Sequence, residues 1–428
     1  MVQRINLNSV VTQVTCLEKQ NKIRVEVKYL FKYIPILILI HTPFGMKFFD
    51  WIARTNAAKI YAKSNRYLMP LITALMLLLL ISFIMATVSF APVREATRDL
   101  GPRSIFLIPI LNPYLPVGYV LISLIITIVV HEAGHGIVAR VYNVKIESTG
   151  IVFFFVVPIG AFVNIERNEL EKTPLKHKSS ILTAGVLNNI ILASISLFGL
   201  HLVISSLYPL PLSGGQETGV SINGVNKGSL AEKIGLTEGS VIQTISDQSV
   251  RSVEDLRKLL QSNLGKTIEI TWYDKDKQLE RDYITLPGSV DENKGILGVT
   301  LNNSISDPKL VLDRYKNLFS TNPLGLLMPP TIQDEAVPYS DLMAKRYGSS
   351  IFGTSFPIVA NMFFWLWFIN FNVAIFNALP IGPLDGGQLY GSFIESRTKK
   401  ETGIAINNLI TLIMILMIFM SLGLPYIL

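Results

Sequence analysis

The chain has 428 residues, 50% of them hydrophobic and only 16% charged, with a formal net charge of +7 and one cysteine, Cys16. A soluble domain carries about 25% charged residues, so an apolar excess gathered in runs points to a membrane protein. The positive charge comes without a basic run or a basic–aromatic pattern. This speaks against nucleic-acid binding and fits basic loops at a membrane surface, and a lone cysteine cannot form an internal disulfide.

The opening MVQRINLNSVVTQVTCLEKQ lacks the apolar core of a cleaved signal peptide. IPILILI, residues 34–40, follows the alternating KIRVEVKY and stops at Thr42-Pro43. It is too short to span, and either dips into the interface or forms a buried strand. Residues 68–91 are the first run to reach the roughly 20 residues a spanning helix needs. Residues 117–142 are the second and contain HEAGH. VFFFVVPIGAFV, residues 152–163, is short and holds Pro158 and Gly160, so it reads as a re-entrant, strand-like segment. Such backbone is tolerated at membrane depth only where protein covers it or a wet cavity adjoins it. Residues 181–208, 356–380 and 404–428 complete a multi-pass α-helical membrane protein of about five spans.

Between the third and fourth spans the composition changes. Residues 228–260 read GSLAEKIGLTEGSVIQTISDQSVRSVEDLRKLL. AEKIGL is a short helix closed by Gly235, VIQTI a strand, SDQS a turn, and Ser252 caps a second helix. This run resembles a PDZ domain of the kind attached to proteases, with Ser240 where an Asp is usual. The resemblance implies an inserted small α+β domain that binds an extended peptide by strand addition. The domain organisation is then a cytoplasmic segment 1–66, membrane part 67–208, a PDZ-like extracytoplasmic domain 209–302, a connector 303–350 and membrane part 351–428. Lys and Arg gather before the first span (Arg54, Lys59, Lys63, Arg66), after the second (Arg140 to Lys178) and after the fourth (Arg397, Lys399, Lys400). Five alternating spans put these on one face, which the positive-inside rule makes cytoplasmic. Arg94, Arg98 and Arg103 lie on the opposing loop. The N-terminus is expected inside, in a cell membrane of prokaryotic type.

Ionisable groups inside a span are costly and call for a partner. His131 and His135 are four residues apart, so a helix sets both imidazoles on one face within reach of one metal ion. Glu132 follows the first histidine and can reach a water on that metal. This is the logic of HExxH, two zinc ligands and a general base. A catalytic zinc generally takes a third protein ligand. His41, His177 and His201 are weaker candidates than Asp385. The aspartate stands in FNALPIGPLDGGQLYGS, just after the fourth span, among prolines and glycines that break the helix. His131 lies about 20 Å into its span by helical rise, toward the cytoplasmic face, where Asp385 also sits.

HEAGH in one span and N-x-x-P with LDGG in a later one resemble the site-2 protease family of intramembrane zinc metalloproteases. TAGVLNNIILA, with Ala184, Gly185 and Asn189, and PIGAFV, with Ala161 for a second glycine, resemble two further motifs of that family. The resemblance runs over about residues 68–428. It implies one zinc per chain held by His131, His135 and Asp385, with Glu132 as general base and acid. Asn189, and Asn377 with less support, are implied to act beside the site. Asn189 could donate its amide to the polarised carbonyl or make an interhelical hydrogen bond; Asn377 reads better as a helix-end cap. The implied substrate is a transmembrane protein in the lipid bilayer, cleaved in or near its span. The rival readings are an inactive scaffold that binds peptides through the PDZ-like domain, and a metal transporter.

Overall fold

The computed structural model describes residues 11–15, 23–30, 34–101, 112, 114–154, 157–210, 219–250, 253–274, 278–288, 295–302, 308–327, 329–332, 336–341 and 343–427. Cys16, Arg103 and Ser252 lie outside the described residues. The chain forms two compact units, Met1–Phe198 with Met362–Leu428, and Gly199–Asn361.

The first unit begins with strands β1 (Val11–Thr15), β2 (Arg24–Leu30) and β3 (Ile34–Thr42). IPILILI is thus a strand, not an interfacial dip. Helix α1 (Met46–Ala53) follows, then α2 (Asn56–Ser64), capped by Thr55, whose Oγ1 accepts the Ala58 N–H at 3.1 Å. One 3-10 turn joins α2 to α3 (Leu68–Ser89). Helix α3 buries Met69, Ile72, Met76 and Leu80 and exposes Leu71, Leu75 and Leu78, so it is apolar all round, as a lipid-facing helix must be. A short α4 (Ala91–Leu100) precedes α5 (Val117–Val141). On α5 the buried stripe contains Ser123, Thr127, His131 and His135, while Ile122, Ile125 and Val129 are exposed. The polar groups face protein and the apolar ones face out, the arrangement hydrocarbon demands.

Strands β4 (Ile146–Phe154) and β5 (Val157–Ile165) form a hairpin. Residues 152–154 and 157–163 are therefore strand, in a five-stranded antiparallel sheet of order β1-β2-β3-β4-β5. His41 pairs with Gly150, and Gly150 with Phe162. Glycine is required there, because a Cβ would stand 2.3 Å from the Ile40 carbonyl oxygen and 2.4 Å from the Phe162 ring. Helix α6 (Arg167–Lys172) leads into α7 (Leu175–Ser205).

The second unit holds strands β6 (Leu207–Pro209) and β7 (Val220–Val225), helix α8 (Leu230–Lys233), strands β8 (Val241–Ile245) and β9 (Gln248–Ser249), helix α9 (Val253–Ser262) and strands β10 (Thr267–Tyr273), β11 (Leu279–Thr285) and β12 (Val299–Asn302). Its main sheet runs β11-β10-β8-β7-β12, with β9 on β8. Ser246 and Asp247 take positive φ in the two-residue turn between β8 and β9, the conformation a tight hairpin needs. Ile222, Ile242, Ile245, Leu256, Ile270 and Trp272 form the core. Helix α10 (Pro308–Thr321) follows, and β13 (Tyr347–Ser349) pairs with β6.

Helix α11 (Phe356–Asn377) leads back into the first unit, followed by α12 (Asp385–Glu395) and α13 (Lys400–Ile427). Ile72, Met76, Leu182, Val186, Ala374, Leu389 and Met414 from five helices make one core with Leu379 from the break between α11 and α12. Among the described residues five helices are long and apolar enough to cross a membrane: Asn56–Ser89, Val117–Val141, Leu175–Ser205, Gly353–Asn377 and Lys400–Ile427. They coincide with the five runs expected from sequence.

Leu256 is fully buried in the second unit. Leu256→Ala should cost about 2–5 kcal/mol through transfer and cavity terms. Hydrogen exchange on the full-length protein should show β8 and β10 losing protection while α5 keeps it.

Candidate metal centre

One helical turn separates His131 from His135, and their Nε2 atoms stand 3.1 Å apart. Asp385, the first residue of α12, brings Oδ2 to 3.0 Å from His131 Nε2 and 3.4 Å from His135 Nε2. All three residues are buried. Asp385 Oδ2 is also buried and makes no hydrogen bond. A tetrahedral ion with bonds of about 2.0–2.2 Å separates its ligand atoms by roughly 3.3–3.6 Å. Two nitrogens and one oxygen at 3.0–3.4 Å therefore fit one zinc ion with little movement.

The glycines of LDGG make the approach of Asp385 possible. A Cβ on Gly386 would stand 2.3 Å from the Ala378 carbonyl oxygen, and one on Gly387 2.0 Å from that of Ile381. The first turn of α12 thus packs directly on the broken chain behind it. The Gly382 N–H donates to Thr411 Oγ1 at 2.9 Å and ties the break to α13. Gly185 on α7 fills the same purpose opposite. Its Cβ would stand 2.5 Å from His135 Nε2 and 2.7 Å from His131 Nε2.

The far side of each ring is also held. His135 Nδ1 lies 2.7 Å from the Ile181 carbonyl oxygen, which can only accept, so Nδ1 carries the proton and Nε2 is left with its lone pair. His131 Nδ1 lies 3.0 Å from the Asn189 amide, whose Oδ1 is buried without a partner when Nδ2 faces the ring. Turning the amide over lets Oδ1 accept from Nδ1–H and leaves His131 Nε2 with its lone pair. Asn189 thus contacts the imidazole edge opposite Nε2. Glu132 sits beside the pair, and the ligand atoms of His131, Glu132 and His135 lie within 4.8 Å of one another. Its Oε2 accepts the Val163 N–H from β5 at 2.9 Å.

The other sequence candidates are engaged elsewhere. His41 Nδ1 is 3.0 Å from Ser148 Oγ, His177 stacks on Tyr142, and His201 meets Phe319 edge-on in the second unit. Asn377 is the last residue of α11. Sequence reasoning missed Tyr61 and Asn188. The Tyr61 hydroxyl stands 2.7 Å from Asn188 Oδ1 and 3.1 Å from the Ala184 carbonyl oxygen. Asn188 Nδ2 donates to the Val130 carbonyl oxygen at 2.9 Å, one residue before His131. The polar Asn188 in an apolar helix was a visible signal; its partner on α2 was not.

The sequence profile of peptidase family M50 matches residues 119–421, from the start of α5 into α13. The chain belongs to this family, that of the site-2 proteases. An uncharacterized protein of Methanocaldococcus jannaschii is 26% identical over 368 residues, 85% of this chain and 79% of that one. A Nostoc sp. protein provisionally named a zinc metalloprotease is 22% identical over 320 residues, 65% of this chain and 85% of its own. A membrane-bound transcription factor site-2 protease homolog of Arabidopsis thaliana is 27% identical over 144 residues, 33% of this chain and 27% of its own. This M50 peptidase is an integral membrane zinc metalloprotease.

Two substitutions probe the centre through metal content. Gly185→Ala should push the imidazoles apart and release zinc at a chelator concentration the wild type withstands. Asn189→Ala should lower zinc affinity about 10–100-fold, the usual effect of removing a hydrogen bond that orients a ligand. Competition with a chromophoric chelator measures both.

Proposed function

We propose that this M50 peptidase hydrolyses a peptide bond in or near the transmembrane segment of a membrane-protein substrate, with His131, His135 and Asp385 as the ligands of one zinc ion. The observation that carries the reading is the convergence of His131 Nε2, His135 Nε2 and Asp385 Oδ2 in a buried site, with a carboxylate on the residue after the first histidine. Zinc bound there supplies Lewis acidity, polarising the scissile carbonyl and acidifying the attacking water. Glu132 takes the proton of that water and returns it to the leaving nitrogen. The Ile181 carbonyl holds His135 in the tautomer that presents Nε2, and Asn189, with its amide turned so that Oδ1 faces Nδ1, does the same for His131.

A transmembrane helix hides its amides in its own hydrogen bonds, so the substrate has to unwind before it is cut. The outer side of β5, the last strand of its sheet, offers an extended segment a place to pair. The second unit supports a PDZ-like role through its order of α8, β8, β9 and α9, and through β12 at the end of its sheet, where a peptide can add. We assign that unit the selection of substrates already trimmed by another protease, as regulated intramembrane proteolysis requires. Span alternation and the distribution of Lys and Arg support a cytoplasmic N-terminus and an extracytoplasmic PDZ-like unit in a prokaryotic cell membrane.

The test compares purified wild type with Glu132→Gln for zinc content and for cleavage of a model single-span substrate. Stoichiometric zinc in both is expected, with cleavage slowed at least about 10²-fold in the variant. Zinc in neither protein would overturn the ligand assignment, and equal cleavage by both would overturn the role of Glu132.

A further inference from the structure

Glu132 has a hydrogen-bond partner that the proposed reaction does not use. Its Oε2 accepts the backbone N–H of Val163 at 2.9 Å. In an antiparallel strand, successive N–H groups point alternately toward and away from the neighbouring strand. At the end of β5 the Glu166 N–H donates to Lys145, on the β4 side. Val163, an odd number of residues away, turns its N–H to the other side, and Ala161 and Ile165 follow it by the same alternation. Among the described residues, strand β5 has β4 as its one neighbour in the sheet. The N–H of Val163 therefore belongs to the open edge, and Glu132 is the group that occupies it.

We infer that Glu132 is a latch on the substrate-binding edge, and that docking of an extended substrate segment is what releases it for catalysis. This rests on the proposed reaction, because it takes Glu132 as the base and the outer edge of β5 as the docking site. An added strand must bring a carbonyl oxygen to each outward N–H of β5. At Val163 that position is filled by the carboxylate. One N–H makes one good hydrogen bond, so the substrate carbonyl and Glu132 compete for it. When the substrate wins, the carboxylate is set free on the residue next to His131, beside the metal ligands. When no strand is docked, the base stays bound to backbone. Strand docking and the availability of the base are thus coupled, and the coupling is reciprocal: whatever holds Glu132 on Val163 weakens substrate binding by the same factor.

The reciprocity supplies a test without turnover. Glu132→Gln and Glu132→Ala both lack the catalytic carboxylate and its charge, so both bind substrate without cutting it. The glutamine oxygen can still accept from Val163, whereas alanine cannot reach it. The probe is a dye-labelled synthetic single-span peptide, titrated by fluorescence anisotropy against each full-length, zinc-loaded variant in lipid nanodiscs. Glu132→Ala should bind it about tenfold more tightly than Glu132→Gln, the factor of one hydrogen bond. In the absence of peptide, hydrogen exchange over residues 157–165 should be slow in wild type and Glu132→Gln and faster in Glu132→Ala. Equal affinities in the two variants, or equal exchange in all three proteins, would overturn the latch. A wild type that fails to cleave the same peptide would count against the proposed reaction alone, since neither comparison depends on cleavage.

Discussion

The membrane unit is organised around the burial of two imidazoles and a carboxylate within 3.4 Å of one another. Left without a counterion, such a cluster would be expensive in a low-dielectric interior. The surrounding chain reads as the set of conditions under which it can exist. Helix α5 turns its serine, threonine and histidine stripe inward and Ile122, Ile125 and Val129 outward. Helix α7 presents Gly185 where any side chain would strike the Nε2 atoms. The chain between α11 and α12 breaks, so that Asp385 can enter as the first residue of a helix, at the end where the dipole favours a negative charge. A cation bound there would offset the remaining cost and link its binding to the packing of α5 against α12.

Residues ahead of the family-matched region contribute to this packing. Tyr61 on α2 holds the Asn188 carbonyl oxygen, and Asn188 in turn holds α5 through Val130. Asn65 Nδ2 donates to the Ser180 carbonyl oxygen, one residue before Ile181, whose own carbonyl orients His135. Phe49 of α1 lies where a Cβ on Gly136 would come within 2.6 Å of its ring. The N-terminal helices are therefore braced against the backbone that carries the histidines, and β3 extends the sheet whose other end meets Glu132.

What could be read from the sequence follows from the range of each interaction. The spans were legible because apolar runs of about 20 residues carry their own evidence. His131 and His135 were legible because helical spacing alone places them on one face. Asp385 was legible through its setting among helix breakers. The role of IPILILI stayed open, because a strand of nine residues is decided by its partners, β2 and β4, the second more than a hundred positions away. Asn189 admitted two readings for the same reason: an amide on a helix can face the substrate or a ring, and only packing places it on His131 Nδ1. The glycines in TAGVLNN and LDGG were visible as letters, but the atoms that exclude a Cβ at each belong to other segments.

A strand edge is an awkward object to keep beside a spanning helix. In hydrocarbon every backbone N–H needs an acceptor, and a missing one costs several kcal/mol. In water an open edge invites pairing with other chains. Strand β5 has such an edge, and Val163 on it touches a residue of α5 that lies well inside the span. The protein meets the difficulty there with a side chain rather than another strand. A strand would close the edge permanently and leave no place for an extended substrate. A side chain satisfies the N–H and can be exchanged for a peptide carbonyl, which satisfies it equally well. Glu132, next to His131, covers the edge at that N–H and, in the reaction proposed above, would also act on the bond that replaces it. On the proposed reaction, the requirement that backbone be satisfied at membrane depth and the requirement that a base stand beside the scissile carbonyl would fall on one residue, Glu132, at the contact between α5 and the margin of the sheet.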